Sequence, residues 1–176
     1  DPLWSRGLGD VYKRQNGTRT NYSSPIQIGT LTNWKQVSGG YYNTSAIKTD
    51  GTLWSWGYDG YGALGNGTTV YYSSPIQIGS LTNWKKVSGG LYHTAAIKTD
   101  GTLWSWGYNS YGQLGNGTTI NYSSPIQVGS LTNWRDVSCA RVHTAAIKTD
   151  GTLWTWGYDG YGQLGNGTIN SYSSPI

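Results

Sequence analysis

The chain has 176 residues, of which 27 are glycine, 15 tyrosine and 10 tryptophan, and it contains neither phenylalanine nor methionine. Its formal net charge is +4, but the basic residues are scattered singly, so no nucleic-acid-binding surface is indicated. No stretch approaches the roughly 18 apolar residues of a membrane span, and the single cysteine, Cys139, excludes an intramolecular disulfide.

Residues 1–15 do not follow the pattern of the rest of the chain. Later copies of the same region read like GTLWSWGYDGYGALG, whereas the chain begins with DPLWSRGLGDVYKRQ. The segment DVYKRQ resembles the translated end of a sequencing-library adapter. We therefore expect residues 1–15 to be a non-native leader, with a degenerate terminal repeat as the alternative. The missing initial methionine and the end in mid-copy lead us to expect a fragment of a longer protein.

From residue 16 onward the chain repeats with a period of 50 residues. Residues 51–100 and 101–150 agree at 38 of 50 positions without a gap. Residues 16–50 form the back part of an earlier copy, and residues 151–176 form the front half of a later one. A fixed period of this length is typical of solenoids and propellers.

A hairpin is predicted at the junction of successive copies. Asp100-Gly101 is a strong signal for a two-residue turn between the segments HTAAIK and TLWSWG. Such a turn pairs Ala95 with Trp106. It also pairs Ile97 with Trp104, so that all four side chains lie on one face of the sheet. Small side chains opposite large ones predict sheet layers that interlock.

Two further strands are predicted at residues 75–79 and 84–89, which leaves residues 58–74 as a long connection. This connection contains GYGALG, the glycine spacing of a dinucleotide-binding turn. The following residues are poor helix formers, and no acidic residue stands about 20 positions downstream. We therefore interpret the glycines as loop-forming and expect no cofactor. The positions predicted to maintain the fold are Gly51, Trp54, Trp56, Gly57, Gly62, Leu64, Gly65, Gly101, Trp104, Trp106 and Gly107.

Four strands in 50 residues is the size of one propeller blade. The sequence therefore predicts an all-β fold, a β-propeller fragment of about three four-stranded blades. The segment SGGLYHTAAIKTDGTLWSWGYNSYGQLGNGTTINYSSPIQVGSL closely resembles the regulator-of-chromosome-condensation (RCC-type) repeat. The matching elements are Gly89-Gly90, His93-Thr94, Asp100-Gly101, Trp106-Gly107, residues 112–115 and Pro125. The resemblance covers residues 16–176 and implies part of a seven-bladed propeller, in a superfamily that includes a propeller-type β-lactamase inhibitor.

The residue types that usually carry catalysis do not form a recognisable constellation, and we expect no enzyme activity and no metal site. His93 and His143 occupy the same repeat position, so they should lie in neighbouring blades, where a structural hydrogen bond is the favoured role. Cys139 replaces a glycine and has no matching base.

Positions at which the copies differ are candidates for a recognition surface, because loops that bind partners vary on a constant scaffold. Tyr41, Leu91 and Arg141 occupy one equivalent position with three different chemistries. Neutral drift at exposed positions explains such differences equally well. The candidate interaction-loop positions are Tyr41, Asp59, Lys86, Leu91, Asn109, Asp136 and Arg141.

The resemblance implies a non-enzymatic propeller that acts as a protein–protein interaction platform, and the sequence leaves the partner and the compartment open. One alternative is a guanine-nucleotide exchange factor for a Ran-like small GTPase. Another is a secreted enzyme-inhibitor or carbohydrate-binding propeller. Because a partial ring has uncovered end blades, we also expect the isolated chain to self-associate.

Overall fold

The computed structural model describes residues 23–176, so the expected leader at residues 1–15 lies outside the described residues. The described part of the chain forms strands and no helix, and therefore no helix that could cross a membrane. The strands are β1 (Trp34–Gly39), β2 (Asn43–Lys48), β3 (Leu53–Gly57), β4 (Tyr72–Gln77), β5 (Trp84–Gly89), β6 (His93–Lys98), β7 (Leu103–Gly107), β8 (Tyr122–Gln127), β9 (Trp134–Cys139), β10 (His143–Lys148) and β11 (Leu153–Gly157).

Three antiparallel sheets follow one another along the chain. Blade 1 has the strand order β1-β2-β3-β4, blade 2 has β5-β6-β7-β8, and blade 3 has β9-β10-β11. In blade 3 the fourth position is taken by the chain end, where Tyr172 bridges Gly157 and Ile176 exchanges backbone hydrogen bonds with Thr155. The first strands of the blades contact one another and form the inner edge of the stack. The predicted all-β blade architecture is confirmed.

The predicted hairpin forms between β6 and β7, but its predicted register was wrong by one residue. Thr94, not Ala95, pairs with Trp106, and Ala96 pairs with Trp104. Since neighbouring residues of a strand point to opposite faces, this difference decides which side chains share a face. Thr94 and Ala96 lie on the tryptophan face, and Ala95 lies on the other.

The register differs because the turn has three residues instead of two. Backbone hydrogen bonds of 3.0 Å join Gly101 N to Lys98 O and Lys98 N to Thr102 O. Gly101 has φ +80, whereas Asp100 keeps a negative φ. The loop is therefore a tight turn closed by a glycine bulge, and Asp100 contributes through its Oδ1, which accepts hydrogen bonds from Thr102 N and Oγ1.

The blades stack through one repeated interface, in which a tryptophan face packs on an aliphatic face. Burial of each large apolar side chain stabilises the stack by roughly 1.5–3 kcal/mol. Between blades 1 and 2 the buried cluster consists of Ile47, Leu53, Ile78, Trp84, Val87, Ala96 and Trp106. Between blades 2 and 3 it consists of Ala95, Ile97, Leu103, Val128, Trp134, Val137, Ala146 and Trp156.

The GYGALG loop lies across the boundary between blades, which confirms that it connects strands. Trp106 Nε1 donates to Ala63 O at 2.9 Å, and Thr94 Oγ1 donates to the same oxygen at 2.8 Å. A Cβ on Gly65 would lie 2.7 Å from Trp106 Nε1, so only glycine allows this approach. Leu64 is fully buried, as predicted.

The outer faces of the stack are less covered than the inner ones. Leu153 of blade 3 is 65% exposed, whereas its equivalents Leu53 and Leu103 are fully buried. Val37 of blade 1 is 67% exposed, and its equivalent Val87 is buried. Each end blade therefore presents apolar side chains that the interior blade boundaries cover.

Candidate interaction surface

One end of the stack carries a continuous row of tyrosine rings. Because each sheet is an antiparallel meander, the connections β1–β2 and β3–β4 and their repeats emerge at the same end. The rings that contact one another have centroids 4.5–6.3 Å apart. We call this row the tyrosine surface, and it consists of Tyr41, Tyr42, Tyr58, Tyr61, Tyr92, Tyr108, Tyr111, Tyr158 and Tyr161.

Stacking of the blades joins these tyrosines. Tyr61 of blade 1 contacts two rings of blade 2, with centroids 4.9 Å from Tyr92 and 4.8 Å from Tyr108. Tyr111 of blade 2 contacts Tyr158 of blade 3 in the same way, at 5.0 Å. The row therefore crosses both blade boundaries, and its rings hold each other in place.

A cavity of about 600 Å³ opens in the tyrosine surface between blades 2 and 3. Tyr108 and Tyr158 line it, together with Leu91, Arg141 and His143. Its wall is mostly aromatic and aliphatic, and Arg141 supplies a positive charge. Apolar walls with few polar groups are typical of binding pockets.

The copies differ in the loop beside this cavity, where the glycine pair of blade 2 is replaced in blade 3. A Cβ on Gly90 would overlap the ring of His93, which is completely buried. Blade 3 has Ala140 at the equivalent position, and its His143 is only half-buried. His143 also lines the cavity.

The two histidines lie in neighbouring blades, as predicted. His93 Nε2 lies 3.0 Å from Thr144 Oγ1, and burial lowers the pKa of His93 to about 3, so the ring is neutral at physiological pH. Burial also lowers the pKa of His143, and the nearby Asp159 opposes this effect. Residues 23–176 hold no group of three His, Cys, Asp or Glu side chains placed to bind a metal ion.

Three of the candidate interaction-loop positions meet at the tyrosine surface. Tyr41 N donates to Gly90 O at 3.0 Å, and Leu91 N donates to Arg141 O at 3.3 Å. These bonds connect the β1–β2 loop of each blade to its neighbour. Tyr41, Leu91 and Arg141 therefore lie side by side across the three blades. Although they occupy equivalent positions of the repeat, they form one surface with three different side chains.

Two other candidates are buried, and direct contact with a partner is a wrong assignment for them. Asp59 and Asn109 have no exposed surface. Each braces its own loop: Asp59 Oδ1 accepts from Leu64 N at 2.8 Å, and Asn109 Oδ1 accepts from Leu114 N at 2.9 Å. Variation between the copies at this position therefore concerns the loop interior.

The last two candidates do not lie in loops. Lys86 and Asp136 lie in the inner strands β5 and β9, and Lys86 Nζ is 3.6 Å from Asp136 Oδ1. Both side chains are partly exposed, and such an ion pair contributes at most about 1 kcal/mol. The pair links neighbouring blades at the inner edge of the stack.

The sequence reasoning missed most of the tyrosine surface. A signal was present, because Tyr58 and Tyr61 recur at the same spacing in all three copies of the β3–β4 loop. Unlike the tryptophans, these tyrosines do not alternate on a strand, and their contacts follow from blade stacking.

The described residues form a stack of propeller blades with tyrosine rings at one end. Family models for the regulator of chromosome condensation (RCC1) repeat match residues 50–97 and 100–147. A second model for the same repeat matches residues 34–63, 84–113 and 134–163. The chain belongs to the regulator of chromosome condensation (RCC1) repeat family.

Solved structures show the same fold. Prp20p from Saccharomyces cerevisiae is 19% identical, with a TM-score of 0.74, over 83% of this chain and 38% of its own. Human WBSCR16 is 23% identical, with a TM-score of 0.73, and the match covers 85% of this chain and 39% of the WBSCR16 chain. Yeast RCC1 (Prp20) bound to Kap60 is 18% identical, with a TM-score of 0.75, and the match covers 93% of this chain and 42% of the yeast chain. The chain thus spans about two fifths of each structure's length. No curated protein sequence matches the chain.

Proposed function

We propose that the protein is a non-enzymatic binding module that recognises a protein partner through the tyrosine surface. The observation that carries this proposal is the continuous row of tyrosine rings around a cavity that also contains Leu91 and Arg141. Tyrosine and arginine are enriched among the residues that dominate protein–protein binding energy. Tyrosine offers a large contact area with only two rotatable side-chain bonds, so little conformational entropy is lost on binding.

The surface is pre-organised for binding. Tyr111 is 41% exposed and Tyr161 is 89% exposed, yet both rings are held by neighbouring tyrosines. A cavity of about 600 Å³ accommodates an apolar side chain of a partner. Arg141 at its wall favours a carboxylate beside that side chain. We therefore expect a partner segment with an aromatic or aliphatic residue next to an acidic one.

The orientation of the rings supports a protein partner over a carbohydrate. Most contacting pairs are tilted or edge-to-face, with interplanar angles of 54–81° between Tyr58 and Tyr161. In such pairs one ring covers the face of the next. A sugar ring stacks on an open aromatic face, and Tyr161, which is 89% exposed, offers such a face. Carbohydrate binding therefore remains an alternative that the test below distinguishes.

Protein binding also agrees with what the solved relatives are described as doing. The Prp20p structure is reported with its binding properties to Gsp1p and histones, and another holds yeast RCC1 bound to Kap60. Nucleotide exchange on a Ran-like GTPase is the second alternative. An assay of nucleotide release from such a GTPase tests it directly.

The proposal is tested by affinity capture from an extract of the source organism with the full chain and two variants. The first variant carries Arg141→Ala, Tyr111→Ser and Tyr161→Ser. The control carries Leu81→Ser and Leu131→Ser, which remove exposed side chains at the opposite end of the stack. We expect one protein to be captured by the wild type and the control and lost with the first variant. Equal capture by all three, or binding to a glycan array instead, would contradict the proposal.

A further inference from the structure

One position in the long loop holds a completely buried polar residue in every blade, and its identity differs between the copies. It is Asp59 in blade 1, Asn109 in blade 2 and Asp159 in blade 3, and all three have no exposed surface. This position begins the loop that connects the third strand to the fourth. A carboxylate only accepts hydrogen bonds, whereas the NH₂ group of an amide donates them, so the two side chains require different atoms around them.

In blade 2 the amide of Asn109 organises the loop. Its Oδ1 accepts a hydrogen bond from Leu114 N at 2.9 Å. Its Nδ2 donates to the backbone oxygens of Thr118 and Ile120, each at 3.0 Å, and to Asn116 Oδ1 at 3.2 Å. Thr118 Oγ1 lies farther away, at 3.5 Å, so the NH₂ group stands among four oxygen acceptors.

The Asp59 loop of blade 1 has the same frame. Asp59 Oδ1 accepts from Leu64 N at 2.8 Å. Asn66 Oδ1 accepts from Thr68 N at 3.1 Å, and Thr68 Oγ1 accepts from Val70 N at 3.3 Å. The blade 2 loop contains the same three bonds at equivalent positions, at 2.9, 3.2 and 3.4 Å.

The Asp159 loop of blade 3 repeats this frame. Asp159 Oδ1 accepts from Leu164 N at 2.8 Å. Asn166 Oδ1 accepts from Thr168 N at 3.0 Å, and Thr168 Oγ1 accepts from Asn170 N at 3.3 Å. All three loops therefore fold alike around their buried side chain.

Because Oδ1 is fixed in the same way, the second carboxylate oxygen takes the place of Asn109 Nδ2. It then faces the equivalents of the oxygens that accept from the amide in blade 2. The backbone carbonyls and the asparagine oxygen cannot donate, and in blades 1 and 3 the threonine hydroxyl already donates to that asparagine oxygen. Oδ2 of Asp59 and Oδ2 of Asp159 are both buried without a hydrogen-bond partner. A buried carboxylate oxygen among acceptors is unfavourable unless a proton or a metal cation joins them.

By equivalence with blade 2, the oxygens that face each aspartate are one amide oxygen and two backbone carbonyls. Together with the carboxylate, they are of the kinds that calcium binds. We propose that the Asp59 and Asp159 loops each bind a divalent cation of the calcium type between the carboxylate Oδ2 and these oxygens, where blade 2 has the hydrogen bonds of the Asn109 amide. Calcium accepts such oxygens at about 2.3–2.6 Å and tolerates irregular geometry. With one carboxylate per site, we expect dissociation constants of about 10⁻⁴–10⁻³ M, the range of extracellular calcium modules.

Burial raises the pKa of Asp59 to about 7, so a proton competes with the cation for this carboxylate near neutral pH. A bound cation would hold the loop that carries Tyr58 and Tyr61, and its repeat would hold Tyr158 and Tyr161. The inference does not depend on the proposed partner, because cation binding is measured on the protein alone.

The test is isothermal titration of the full chain with calcium chloride, with terbium luminescence as a second readout. The wild type should bind two Ca²⁺, Asp59→Asn should bind one, and the variant with both Asp59→Asn and Asp159→Asn should bind none. Asn109 shows that asparagine fits the loop, so these variants should fold. The reverse change, Asn109→Asp, should add a third site.

A thermal-shift measurement provides a matched control. Calcium should raise the melting temperature of the wild type but not that of the double asparagine variant, because only a cation bound to the folded state stabilises it. The inference is overturned if the wild type binds no Ca²⁺ at about 10 mM, which is ten times the weakest dissociation constant expected. It is equally overturned if the double variant binds as many ions as the wild type.

Discussion

Two rows of aromatic side chains run through the three blades, and they differ in nearly every physical respect. The tryptophans lie at the blade boundaries, occupy identical positions in each copy and are largely buried, with Trp106 and Trp156 fully so. The tyrosines lie at the loop end, are partly exposed, and stand beside positions that change from copy to copy. The repeat therefore separates the residues that maintain the fold from those available for recognition.

The difference follows from the polar group that each aromatic ring carries. A tryptophan ring carries a single donor. For two of the buried rings the loop of the preceding blade supplies the acceptor: Ala63 O for Trp106 and Gln113 O for Trp156, both at 2.9 Å. A tyrosine hydroxyl both donates and accepts, which is most easily satisfied near water. Repetition therefore preserves the tryptophan contacts and leaves the surroundings of the tyrosines free to vary.

The largest effect is expected from Trp106→Ala. The change removes a fully buried side chain and its hydrogen bond at the boundary between blades 1 and 2. We expect the free energy of unfolding to fall by about 3–5 kcal/mol, measured by urea denaturation. Tyr111→Ala in the tyrosine surface is the control, with an expected change of about 0.5 kcal/mol. Similar losses for both variants would contradict the division between the two rows.

The stability of the protein should decrease at acidic pH because His93 is buried. Its pKa is about 3 in the folded protein against an ordinary value of 6.5, because burial disfavours the charged ring. The unfolded chain therefore binds the proton more tightly than the folded one. Stability is complete above pH 6.5 and falls as the pH decreases toward 3, with a slope approaching about 1.4 kcal/mol per pH unit.

Asparagine is the natural replacement for His93, because Asn43 occupies the equivalent position in blade 1. His93→Asn should flatten the stability profile between pH 6.5 and 4, measured by denaturant titration at each pH. His143→Asn should change it less, since His143 is only half-buried. An unchanged profile in His93→Asn would show that this residue does not cause the acid sensitivity.

A pair of glycine variants isolates one contact at a blade boundary. Gly65 and Gly165 have similar positive φ values of +83 and +72, but only Gly65 has Trp106 against it. An added Cβ at Gly165 meets nothing within 4 Å. Gly65→Ala should therefore lower stability by about 1–3 kcal/mol more than Gly165→Ala, measured by thermal unfolding. Equal losses would mean that backbone strain alone decides both.

The smallest effect on the fold is expected from Leu153→Asp at the uncovered face of blade 3. We predict that the wild-type chain self-associates through such faces, because Leu153 is exposed where Leu103 is covered by the next blade. The variant should shift the protein toward a monomer in sedimentation analysis without loss of stability. A wild-type chain that stays monomeric at high concentration would contradict this prediction.

The sequence predicts the blade architecture well, because the repeat period and the Asp-Gly turns are local signals. The hairpin register is different: the choice between a two-residue turn and a three-residue turn depends on one glycine bulge at Gly101. That choice decides whether Ala95 or Thr94 faces Trp106, and the alternating pattern is compatible with both.

The candidate surface is predicted only in part. Tyr41, Leu91 and Arg141 are found because they vary and lie in equivalent loops. Asp59 and Asn109 vary too, but they are buried. Sequence variation alone does not distinguish an exposed position from a buried one. The contact between Tyr61 and Tyr108 is invisible in the chain, since it forms only when one blade stacks on the next.

The most direct test of the tyrosine surface is site-specific photo-cross-linking. A photoreactive amino acid replaces Tyr161, which is 89% exposed, and in a separate protein it replaces Leu81 at the opposite end of the stack. After incubation with the captured partner and irradiation, the account predicts a cross-linked complex from position 161 and none from position 81. A cross-link from position 81 alone would show that the partner binds the other end, and the tyrosine surface would then have no part in recognition.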